Sequence, residues 1–146
     1  MPLLADSLIK DQDLSRMTAL VEFRHGARFT IRFVSRAALQ AIAESCTVMA
    51  YSSNAKARSR TIDPEAFNDA IARAIVTGWS NITPEVLGKL MPLDLSKFED
   101  TEAELPFTYE DLKTVLMNTP ELDNFLQECA MDMSTFRKGK DAAVKN

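Results

Sequence analysis

Between Ala19 and Phe33 the chain repeats with a period of two on both sides of a His-Gly step. Ala19, Val21 and Phe23 interleave with Leu20, Glu22 and Arg24; Phe29, Ile31 and Phe33 interleave with Arg28, Thr30 and Arg32. Successive side chains of a strand point to opposite faces, so two such runs around "HGA" predict an antiparallel β-hairpin with one apolar face. That face has to be covered. The remainder of the chain reads mostly as helix, so the fold class is α+β: an N-terminal antiparallel β-hairpin packed against a mainly α-helical domain, with residues 1–146 forming a single domain.

Residues before about Arg16 keep no period and read as a loose arm, with a short helical turn around Leu3 to Ile9. Ser35 can cap a helix whose Leu39, Ile42, Ala43 and Cys46 share one face, placed to cover the hairpin. "YSSNAKARSR" (Tyr51 to Arg60) is polar and basic and reads as an exposed loop or a solvated helix extension. Asp63-Pro64 starts a helix lined by Phe67, Ala70, Ile71, Ala74 and Ile75, which Gly78 ends just before Trp79. From Thr83 to Glu104 a long connection is expected, with a capped turn at Thr83-Pro84, a break at Pro92 and then acids. Thr108 and Asp111 form a capping pair ahead of Leu112, Val115 and Leu116. Thr119-Pro120 restarts a helix along Leu122, Phe125, Leu126, Cys129, Ala130 and Met133, and residues 137–146 read as a frayed tail.

Known chemistries leave few traces. His25 is the single histidine, and no Cys, Asp or Glu stands at ligand-like spacing from it, so it reads as an exposed turn residue and no metal is expected. Four glycines provide neither GxGxxG nor a P-loop, so no nucleotide cofactor is implied. Glu99-Asp100 and Glu110-Asp111 read as solvated carboxylates. Catalytic residues are therefore not expected, and the protein reads as non-enzymatic. Cys46 and Cys129 stand alone in apolar patterns and read as buried thiols. Met117, Met131 and Met133 fit core filling or an adaptable surface.

Charge divides the chain. Met1–Arg60 carries nine Lys or Arg against five Asp or Glu, and Thr61–Asn146 carries eight against sixteen. Arg24, Arg28 and Arg32 fall on the polar side of the hairpin, where with Lys56, Arg58 and Arg60 they could form a basic patch. The alternative function resting on that face is a small regulatory or nucleic-acid-associated adaptor. The net charge of -4 and the lack of interleaved aromatics argue against it, so nucleic acid is not the expected partner. No apolar run approaches the ~18 residues of a membrane span. "MPLLADSLIKDQDL" has acids where a signal peptide has an unbroken apolar core, which reads as a cytosolic protein.

"VTGWSNI" (Val76 to Ile82), then a connection, then "LPFTYEDLKTVLMNTPELDNFL" (Leu105 to Leu126) resembles phage tail assembly chaperones and related small phage tail proteins. The match is carried by Trp79, Leu105, Pro106, Phe107, Thr108, Asn118 and Pro120. The stretch from Thr83 to Glu104 is longer than the brief connection of that family. The resemblance implies a non-enzymatic phage or prophage protein that binds tape-measure or tube subunits and can self-associate. It would act in the cytoplasm of the bacterial host or on the virion. Phe107 is expected to pack near Trp79, and Glu99, Asp100, Glu102 and Glu104 are the candidate partner-binding acids.

Overall fold

The structure is a computed structural model that describes residues 4–52 and 57–137, with the side chains of residues 11, 50–52 and 57–59 outside that description. The expectations for Lys56, the side chain of Arg58 and the tail beyond Arg137 lie outside the described residues. A 3-10 turn at Leu4–Ser7 and the one-turn helix α1 (Asp11–Leu14) make up the N-terminal arm. The fold is α+β.

The alternating runs form β1 (Thr18–Glu22) and β2 (Arg28–Arg32), paired antiparallel with Ala19 opposite Ile31 and Val21 opposite Phe29. Val21, Phe29 and Ile31 are buried, as the period required. A tight 3-10 turn at Arg24–Gly26 joins the strands, with His25 at φ 60° and Gly26 at φ 81°. Left-handed backbone suits glycine because it has no Cβ to clash. A Cβ at position 26 would also lie 2.8 Å from Asn81 Nδ2, so that side-chain end would have to shift from the Gly26 carbonyl it bonds.

Helix α2 (Arg36–Ser45) starts at Ser35, whose Oγ accepts the Ala38 N–H at 3.1 Å. It does not become the principal cover of the hairpin. α2 buries no side chain and packs mainly on α3 (Pro64–Ile75), and the hairpin is covered by α3, α6 (Pro120–Met131) and α7 (Met133–Arg137). The reason is bulk: α2 has four alanines in ten residues and only Leu39 and Ile42 as large apolar side chains, whereas α3 brings Ile71 and Ile75, α6 brings Leu122 and Leu126, and α7 brings Phe136 to the core.

Two further corrections concern strands. Within the stretch expected as a loop or helix extension, Tyr51 to Arg60, the described residues are strand: β3 (Thr47–Ser52) and β4 (Ala57–Ile62) pair antiparallel, and residues 53–56 lie outside the description. The base of this second hairpin is closed by the Asp63 N–H donating to the Cys46 carbonyl at 2.9 Å. Val48, Met49 and Ile62 are 47%, 59% and 42% exposed, so no buried face imposed a visible apolar alternation. The second correction is at Gly78, which does not end a helix. α3 stops at Ile75, and the chain passes directly into β5 (Val76–Ser80) on the free edge of β2, giving the order β1-β2-β5. β-branched Val76 and Thr77 and the aromatic Trp79 suit a pleated strand, and β2 gains a partner on its second side.

The long connection holds α4 (Pro84–Leu90), capped by Thr83, and a 3-10 turn at Leu95–Lys97 capped by Asp94. Helix α5 (Tyr109–Asn118) begins with the Thr108 Oγ accepting the Asp111 N–H at 3.1 Å. Pro120 opens α6, as expected, but α6 ends at Met131. Asp132 then accepts from the N–H and hydroxyl of Ser134 and starts α7. Phe136 of α7 meets Phe33 edge-on at 5.5 Å, and Val34 N–H donates to the Ala130 carbonyl, tying the last helices to β2.

Gly26→Ala is expected to cost about 2 kcal/mol, from left-handed strain together with the contact on Asn81; a urea unfolding curve superimposing on wild type would refute this. Cys46 is buried, and partial burial, helped by Glu128 and Asp132, pushes the Cys129 thiol up. Both thiols are expected to react slowly with a disulfide reagent at neutral pH and rapidly once unfolded. Fast modification of both in the native protein would contradict the packing.

Candidate interaction surface

Trp79 sits in β5 directly opposite Phe29, and the two rings meet edge-on with centroids 6.4 Å apart. At the end of this strand Asn81 takes φ 58°, a conformation asparagine tolerates better than most residues. Its side-chain Nδ2 donates to the Gly26 carbonyl at 2.8 Å, and its backbone N–H donates to a carboxylate oxygen of Glu104. One asparagine thus links the first hairpin turn, β5 and the returning acidic connection.

Two further hydrogen bonds hold that connection. Leu105 N–H donates to the Ile82 carbonyl at 2.8 Å, and Trp79 Nε1–H donates to the Leu105 carbonyl at 2.9 Å. Pro106 then directs the chain past Trp79. Phe107 stands edge-on to the indole at 5.2 Å and 87°, and Tyr109 edge-on to Phe107 at 5.1 Å and 75°. The Arg73 guanidinium from α3 lies 4.8 Å above the Tyr109 ring. A continuous run of rings therefore joins sheet, hinge, α5 and α3. Each edge-to-face pair contributes about 0.5–1.5 kcal/mol beyond burial.

Trp79, Leu105, Phe107 and Thr108 come together in this unit. Asn118 and Pro120 do not; they lie at the other end of α5, where Asn118 Nδ2 donates to the Thr114 carbonyl. Pro106 is exposed. The four acids are all exposed, but their roles separate. Asp100 accepts the Glu102 N–H at 2.9 Å and Glu104 accepts that of Asn81, so both shape the loop. The Glu99 and Glu102 carboxylates make no hydrogen bond or ion pair among the described residues. Sequence reasoning missed Asn81, whose one signal is an asparagine placed right after a strand.

The basic face is less available than the alternation implied. Arg28 pairs with Glu22 at 3.1 Å, Arg24 lies in the turn and pairs with Glu121, and Arg32 is half-buried. Arg60 belongs to the second hairpin. His25 is an exposed turn residue, and no group of His, Cys, Asp and Glu suited to a metal occurs among the described residues. No helix among them is long and apolar enough to cross a membrane.

Trp79→Ala is expected to cost about 3 kcal/mol, from lost ring packing and an orphaned Leu105 carbonyl. Trp79→Phe retains the ring contacts and is expected to cost about 1 kcal/mol. Chemical denaturation measures both, and an alanine loss well below about 1 kcal/mol would place the indole outside the packed unit.

The family model of the YdaY prophage protein matches residues 34–146, from the end of the first hairpin to the C-terminus. No curated protein and no solved structure matches the chain. The matched span includes Trp79, Asn81, the acidic connection and the ring run through Phe107 and Tyr109. The chain belongs to the YdaY prophage protein family.

Proposed function

We propose that this prophage protein is a non-enzymatic factor in tail assembly that captures tape-measure or tube subunits in the host cytoplasm. The observation carrying this reading is the packed unit of Trp79, Leu105 and Phe107. Trp79 and the Leu105–Phe107 step, the part of the tail-protein resemblance that meets in space, stand 26 positions apart from Trp79 to Leu105 yet share one hydrogen-bonded, ring-packed cluster. That cluster holds the acidic connection as a firm ledge, presenting Glu99 and Glu102 without internal partners. Toward the C-terminal end of α5, a groove of about 410 Å³ is lined by α3, α5 and Asp123 of α6 and contains Ala72, Leu116 and Met117, the last 72% exposed. A flexible thioether on such a rim can adapt to an apolar partner surface, and the free acids can select a basic one.

Capture with the tagged full chain from cells in which the source prophage is induced tests the reading, with bound proteins identified by mass spectrometry. Tape-measure or tube subunits are expected; recovery of nucleic acid or host regulators alone would overturn it. Joint reversal of Glu99→Lys and Glu102→Lys is expected to weaken capture about fivefold or more with the unfolding midpoint unchanged. Undiminished capture would remove the acidic ledge from the interface. Glu104→Lys is expected instead to lower stability, because it breaks the link to Asn81.

A further inference from the structure

Away from the acidic ledge, a pocket of about 490 Å³ forms where three separated stretches meet: the β1–β2 turn with Phe23, Arg24 and His25, the end of α4 with Lys89, and the α5–α6 junction with Thr119 and Glu121. Three of these side chains are basic in type. The one acid, Glu121, pairs with Arg24, whose guanidinium also lies 5.4 Å above the Phe23 ring. Lys89 makes no hydrogen bond or ion pair among the described residues. Thr119 is 7% exposed, and its hydroxyl is buried without a partner among the described residues. Thr119 also begins α6, and its carbonyl accepts the Leu122 and Asp123 N–H groups at 3.0 and 3.2 Å. The positive end of the α6 dipole therefore lies at this pocket.

We propose that this pocket binds a carboxylate of a partner protein, which takes the Arg24 guanidinium over from Glu121 and engages Lys89 as well. The class of ligand follows from the group already present: the arginine fork holds a carboxylate there, and its geometry matches two carboxylate oxygens. Exchange follows from exposure. Arg24 and Glu121 are 64% and 65% exposed, and an ion pair so solvated contributes little to stability. An incoming carboxylate gains a second cation, Lys89, with which Glu121 makes no ion pair. The site stands independently of the tail-assembly reading, since its residues are separate from Glu99 and Glu102.

The test is a titration of the full chain by heteronuclear NMR with three probes: a hexaglutamate peptide blocked at both ends, a neutral peptide with a free C-terminus, and inorganic phosphate. Shifts at His25, Lys89 and Glu121 with the first probe identify an acidic side chain as the ligand; with the second, a C-terminal carboxylate. Glu121→Gln, which frees Arg24, is expected to tighten binding about fivefold, and Lys89→Glu to weaken it about tenfold with an unchanged unfolding midpoint. Shifts with phosphate alone, no shifts with any probe in wild type and Glu121→Gln, or peptide binding indifferent to Lys89→Glu would each overturn the assignment.

Discussion

The hydrogen bond from the Trp79 indole to the Leu105 carbonyl, with the rings on either side of it, ties the third strand of the sheet to the hinge that leads into α5. Trp79 belongs to a sheet strand, and Leu105 to the far end of a long connection. An amphipathic ring satisfies both sides at once, because its faces and edges pack apolar while its N–H meets a half-buried peptide carbonyl. That closure sets the chain's approach to α5, which α3 and α6 then hold along its length. Pro106 and the Thr108 cap restrict the chain locally, but the restriction has value only because Phe107 is already docked on the indole.

Asn81 extends the closure to the first hairpin. Its left-handed backbone turns the chain out of β5, and its two donors reach Gly26 and Glu104 from opposite sides. A charged loop that looks solvent-dominated in sequence is thereby divided into shaping acids and presented acids. Membership in the YdaY prophage family gives this arrangement its biological setting, and the hydrogen bonds of Asp100 and Glu104 separate them from Glu99 and Glu102, whose carboxylates make none among the described residues.

The two hairpins explain why strand patterns were legible in one place and not in another. In β1 and β2 one face is buried under α3, α6 and α7, so the apolar period is a physical requirement and appears plainly as Val21, Phe29 and Ile31. In β3 and β4, Val48, Met49 and Ile62 remain exposed, so the pairing imposes no such requirement and Arg60 is admitted on equal terms. β5 was hidden for another reason. Its five residues adjoin a helix without an intervening turn, and only the open edge of β2 determines that Val76 to Ser80 are extended.

By itself the sequence determined those features whose causes are local or strictly periodic: the first hairpin, the caps at Ser35, Asp63, Thr83 and Thr108, the proline starts of α3 and α6, and the α+β class. It also brought out Trp79 and the Leu105-Pro106-Phe107 step as a related pair. Tertiary structure alone decided that β5 completes the sheet, that α2 is displaced from the hairpin by bulkier helices, and that Arg24 and Arg28 face carboxylates. It likewise decided that Glu104 is a link and Glu99 a free charge. Caps and periods act within a few residues, whereas edge pairing, competition for core area and charge partners depend on groups dozens of positions apart, whose proximity no single stretch of sequence encodes.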